Sequence, residues 1–149
     1  SRSEPAIKHA LENFIKKFGK IDIYAYLQVT EPFRPKNILD KCLQNLIMKN
    51  SIESSFAGFI QHKNFWVKKN NSFVKLNQQK IDHLPRQKRV GIYREDTGIA
   101  LASRYKLIRK GFRIGKKNII EPYTGLEGLL DIHSELDIKL AKKIYNLIR

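Results

Sequence analysis

The residues of this sequence that could carry out a reaction lie near its C-terminal end. Asp131, Glu135, Asp137 and Lys139 put carboxylates and a lysine into one short stretch. Carboxylates of this kind can hold magnesium while a lysine stabilises developing charge, the chemistry of metal-assisted phosphodiester cleavage. The tightest spacing is Asp137-Ile138-Lys139. It is a short pattern, and it falls where a helix is expected rather than on a strand. Other catalytic sets fail sooner. His9, His62, His83 and His133 stand apart without metal-ligand spacing, and Cys42 is the one cysteine, so zinc has no ligand set. There is neither a serine nucleophile elbow nor a phosphate-cradling glycine loop. The sequence therefore assigns no catalytic residue, no metal ligand and no cofactor.

Binding chemistry is better represented. The chain has 149 residues, with 29 Lys and Arg against 14 Asp and Glu, a net charge of +15. Self-repulsion makes such an excess slightly costly to the compact state, so it points to an anionic partner. The charge is uneven: residues 1–40 carry a net +2, 41–80 a net +6, 86–117 a net +9 and 118–149 a net −1. A generic basic surface would be even. The asymmetry fits a binding region followed by a packing or association element.

The elements that must position these cations can be read from periodicity. Ala6, Ile7, Ala10, Leu11, Phe14, Ile15 and Phe18 make one apolar face of a helix over 5–18, with Ser3 and Pro5 at its start and Gly19 at its stop. A second, shorter helix is expected over 22–29, although Tyr24 to Val29 also favours a strand. Ile38, Leu39, Cys42, Leu43, Leu46 and Ile47 form the apolar stripe of a helix over 36–49, which makes Cys42 a buried packing thiol. Strand-favouring residues follow from Ser51 to Ile60. Two apolar-aromatic runs, Phe65–Val67 and Phe73–Leu76, flank Asn70-Asn71. Asparagine tolerates positive φ, so this is a β-hairpin. Residues 77–88 read as a connector and Val90–Tyr93 as a strand. Residues 97–110 read as a helix, with alternation across a strand as the alternative. Residues 125–148 read as one or two helices, with Ser134 a second cap.

The order helix, short helix, turn, amphipathic helix, hairpin resembles the winged helix-turn-helix superfamily over residues 5–76. The matching elements are Ala6–Phe18, Asp22–Val29, Lys36–Lys49 and Phe65–Leu76. The resemblance implies an α+β fold: a winged-helix domain over 5–80, then a basic, mainly helical region over 81–149. It also implies that the third helix reads the major groove while the wing touches the backbone. The reading residues would be Arg34, Lys36, Asn37, Lys41, Gln44 and Asn45, with Asp40 an unfavourable neighbour of phosphate. The wing residues would be Lys63, Lys68, Lys69, Asn70, Asn71 and Lys75. Contacts to phosphate position a protein and contacts to bases specify it, so the wing lysines supply affinity.

A second phosphate-contact patch is expected from Arg86, Lys88, Arg89, Arg94, Arg104, Lys106, Arg109, Lys110, Arg113, Lys116 and Lys117. Tyr93, Tyr105 and Phe112 are interleaved with it, a composition that also suits single strands or RNA.

The expected function is sequence-specific binding of duplex DNA, as a transcriptional regulator or a replication or partition factor. The alternatives are a plasmid- or virus-type replication initiator with a second DNA-binding lobe, a metal-dependent nuclease domain using the 131–139 carboxylates, and an RNA-binding module. Residues 126–148 are the candidate for homodimerisation. No apolar run approaches a membrane span, and the lone cysteine suggests a reducing compartment. The expected location is the cytoplasm or nucleoid, and the nucleus in a eukaryote.

Overall fold

In the computed structural model the described residues are 2–76 and 84–148. The polar run at 77–80 and His83 lie outside them. Helix α1 (Glu4–Phe18) has Pro5 in its first turn and the Gly19 N–H closing on the Ile15 carbonyl at φ 96°, as expected, while Ser3 precedes it without a side-chain capping bond. Glycine takes that left-handed stop without Cβ strain. α1 buries none of its residues. It packs on a short helix, α3 (Tyr105–Arg109), and is pinned by a 2.9 Å pair between Arg113 and Glu4.

Residues 22–29 are not a helix. Ile23–Tyr26 form strand β1, paired antiparallel with β6 (Leu101–Arg104) from Ile23↔Arg104 to Tyr26↔Leu101. The alternation of Tyr24 and Tyr26 with smaller residues fits a pleated surface, and a partner strand outweighs one marginal helical turn. The second helix of the expected helix-turn-helix is thus a strand. One helix separates β1 from β2 (Ser54–Gln61), namely α2 (Ile38–Met48).

The sheet is built around β2. Strand β7 (Asn118–Tyr123) runs parallel along one edge, in register from Ser54↔Asn118 to Phe59↔Tyr123. The other edge takes two antiparallel strands in series: β6 opposite Ser54–Phe56 and β5 (Ile92–Glu95) opposite Gly58–Gln61. Between them the chain loops out at Thr97–Ile99 while Ala57 stays bonded to both Asp96 and Ala100, at 3.0 and 2.9 Å. This is a large bulge, and bulges commonly re-aim side chains. It also corrects the helix expected at 97–110: the segment is a loop, then β6, then α3. Leu101 to Ser103 are fully buried, and such a segment between two neighbouring strands satisfies its backbone best as a ladder.

α2 lies across the sheet. Ile38, Cys42 and Leu46, spaced one turn apart, pack on Ala57, Ile99, Ala100, Ala102 and Tyr123. Burying Ile38 and Leu46 stabilises the fold by about 1.5–3 kcal/mol each. Strands from before residue 62 and after residue 91 share one sheet, so the sequence boundary near 80 runs through it. The second half contributes three strands to that sheet alongside its helices. The fold is α+β.

Two elements stand apart from this core. Strands β3 (Trp66–Lys69) and β4 (Ser72–Lys75) form the expected hairpin as a separate two-stranded sheet, with Asn70 at φ 51° in its turn. Helix α4 (Glu135–Ile148) begins at Ser134. No helix among the described residues is long and apolar enough to cross a membrane.

Candidate nucleic-acid interface

The basic residues divide by what their side chains hold. Arg34 donates to the carbonyls of Ile99 at 3.1 Å and Gln28 at 2.5 Å. Arg89 donates to Leu84 O at 2.8 Å. Arg104 closes the end of α2 through Leu46, Lys49 and Ile52. Arg113 pairs with Glu4 and lies 5.5 Å from the centre of the Tyr26 ring. Arg94 forks onto Asp96 at 2.7 and 2.9 Å. A planar guanidinium with several fixed donors is suited to bridging carbonyls inside a fold. These five arginines are therefore engaged with the fold itself.

The other set points outward. Lys41 lies on the outer side of α2 with Asp40 and Gln44, and Lys36 and Asn37 lie in the turn that leads into it. Lys68 and Lys69 lie on the hairpin with Asn70 and Asn71. Arg86 and Lys88 lie in a 3-10 turn, Arg109 ends α3, and Lys110, Lys116 and Lys117 follow it. All of these are exposed, and none of their cations forms an ion pair among the described residues. Lys106 is also exposed but reaches Glu53 at 3.9 Å. Lys63 is exposed just before the hairpin, and Lys75 is half-buried at its base. Asn45 turns inward, its amide donating to Ser55 Oγ at 3.1 Å and Glu121 Oε1 at 2.5 Å.

Register fixes the hairpin's two faces. Trp66 opposes Lys75 and Lys68 opposes Phe73, so these four share one face. Val67, Lys69, Ser72 and Val74 share the other. Trp66 is 59% and Phe73 68% exposed. Sequence reasoning used these aromatics only to locate the hairpin. The signal for more was the alternation of aromatic and lysine along each strand.

Two of the surface's concavities are of opposite character. One of about 380 Å³ is lined by Lys20, Asn50, Arg104, Lys106 and Arg109, with Asp22 at its side. The other, of about 290 Å³, is lined by Glu31, Arg94, Glu95, Asp96 and Asp131. Tyr123 donates to Asp96 at 2.5 Å, and burial raises the Tyr123 pKa. Glu31 Oε2 is buried without a hydrogen-bond partner among the described residues. Burial, then Asp131 and Asp96, raise its pKa. Sequence spacing carried no sign of this cluster, which gathers residues from distant segments.

Of the 131–139 carboxylates, Asp131 and Asp137 bond to the local structure at the start of α4. The Asp137 carboxylate accepts from the His133 and Ser134 N–H groups at 3.0 and 2.8 Å, and Ser134 Oγ accepts from the Asp137 N–H at 3.3 Å. This reciprocal pair is a capping box at the start of α4. The His133 backbone bond leads in lowering the Asp137 pKa. Asp131 pairs with His133 at 2.7 Å. Among the described residues no three His, Cys, Asp or Glu side chains are placed to hold a metal. Cys42 is fully buried, and burial pushes its thiol up to about 11, as suits a packing thiol.

Comparison with known proteins adds no family: no family model matches this chain, and no curated protein matches it.

Proposed function

We propose that this protein binds nucleic acid, with duplex DNA as the ligand its outward cations meet first. The observation that carries the reading is the sorting of the basic residues. The arginines bonded to the fold account for themselves structurally, yet a solvated set remains in which Lys68, Lys69, Lys110, Lys116 and Lys117 have no acidic partner among the described residues. Unneutralised lysines of this kind release counterions when they meet phosphates. The reading rests on charge rather than on a helix-turn-helix, because β1 occupies the place of the supporting helix. The outer side of α2, with Asn37, Lys41 and Gln44, is the surface from which bases would be read. A regulator or a replication or partition factor is the role this implies.

The test is anisotropy of labelled duplex DNA, single-stranded DNA and RNA over a salt series. The expected result is duplex affinity that falls with a log–log slope of about −0.9 for each phosphate contacted. Absence of duplex binding at low salt would overturn the proposal.

A further inference from the structure

We infer that the Trp66–Phe73 face of the β3–β4 hairpin is a stacking platform for unpaired bases, so that the preferred ligand is duplex DNA with a single-stranded segment. The inference rests on the nucleic-acid reading and adds the strand state of the ligand. Four observations carry it. The hairpin is a sheet of its own, hydrogen-bonded to no other strand among the described residues. Both of its aromatics, Trp66 and Phe73, have more than half of their surface exposed, although rings of this size normally supply core burial. They share their face with Lys68 and Lys75, each directly opposite an aromatic. The flanking turn is polar and asparagine-rich, Asn70-Asn71.

An apolar protein partner would be met by a continuous apolar face, and alternation with lysine breaks that continuity. Neighbouring positions on one face recur at about 7 Å along a strand and on the diagonal. Aromatic and cation are therefore offered in turn, as a polynucleotide offers base and phosphate. Each ring accepts a base of any identity, and the exposed Lys68 meets the backbone. Bases within an intact duplex are stacked on one another and have no free face for the rings. The platform thus acts only where the strand is unpaired.

Trp66 is the one tryptophan of the chain, so intrinsic fluorescence reports on the platform directly. The probes are a blunt duplex, the same duplex with an oligothymidylate tail, and oligothymidylate alone. Stacking is expected to quench Trp66 saturably with the tailed duplex and with oligothymidylate, while the blunt duplex binds by anisotropy without quenching. Trp66→Ala and Phe73→Ala are each expected to weaken the preference for tailed over blunt duplex about ten-fold. Val67→Thr on the opposite face leaves it unchanged. Both aromatics are exposed, so these variants retain the core, and thermal melting verifies it. Blunt-duplex binding with no quenching by any single strand overturns this inference and leaves the nucleic-acid reading standing. Failure of all three ligands to bind overturns both. A Trp66 emission shift with protein concentration alone assigns the face to a second copy of the chain and likewise overturns the inference.

Discussion

The Arg104 guanidinium, at the end of β6, donates to the Leu46 carbonyl in the last turn of α2 at 2.8 Å. It also reaches Lys49 O at 3.2 Å and Ile52 O at 2.7 Å. One side chain thus satisfies carbonyls that the helix end leaves open and fixes the turn into β2. Charged hydrogen bonds contribute about 1.5–3 kcal/mol each at most, and those to half-buried groups less. Arg104→Ala is expected to destabilise the fold by about 2–3 kcal/mol. Denaturant melts measure this loss. At a temperature where the variant is folded, its affinity for duplex DNA should fall little. A large loss of affinity with unchanged stability would instead place Arg104 at the interface.

The opposite behaviour is expected of the solvated lysines. Lys110, Lys116 and Lys117 are exposed and make no ion pair among the described residues. Replacing all three by alanine should change stability by less than about 0.5 kcal/mol. It should also reduce the magnitude of the salt slope for duplex binding by about 2–3, close to 0.9 per contact removed. An unchanged slope would move the interface away from this loop.

This division of labour was only partly legible in sequence. Periodicity located α1 and α2 because each has one continuous apolar stripe, and Asn70 marked the hairpin because few residues accept φ 51°. It misread 22–29 and 97–110 for a common reason. β1 and β6 pair across about 75 residues of chain, and a strand stabilised by a distant partner leaves a weak local pattern. The cations were counted correctly but could not be sorted. Whether an arginine meets solvent or a carbonyl depends on what the bulge at Thr97–Ile99 and the end of α2 bring near it. Arg94 and Arg109 look alike in sequence and both are exposed, yet Arg94 is bound to a buried aspartate and Arg109 forms no ion pair among the described residues.

The Arg94–Asp96–Tyr123 group ties three segments together. Asp96 is 5% exposed, accepts from both partners and bonds Ala57 through its N–H, while Arg94 also donates to Gly128 O. Removing a partner from a buried pair leaves an uncompensated charge. The Arg94 side chain is 47% exposed, and solvent screening reduces the cost. Arg94→Met is expected to destabilise by about 2 kcal/mol. Tyr123→Phe, which removes one hydrogen bond and keeps the ring against Phe59, should destabilise by about 1–2 kcal/mol. Calorimetric melts that show no loss in either variant would remove this group from the account of stability.

Glu31 gives the prediction with the clearest sign. Its Oε2 is buried without a partner among the described residues, and burial, followed by Asp131 and Asp96, raises its pKa. A raised acid pKa means that the folded state holds the proton more tightly than the unfolded state does. Below the unfolded glutamate value of about 4.3 Glu31 is therefore neutral and carries no charge-burial cost. Its contribution is lost progressively as pH rises from there through the folded value. Glu31→Gln keeps the shape and never ionises. The variant should melt at the same temperature as the parent in acid and at a higher temperature at neutral pH. The gap should open as pH climbs through the glutamate range. Parallel melting curves at all pH values, or a variant less stable at neutral pH, would mean that the carboxylate is stabilised as an anion by a group on its open side.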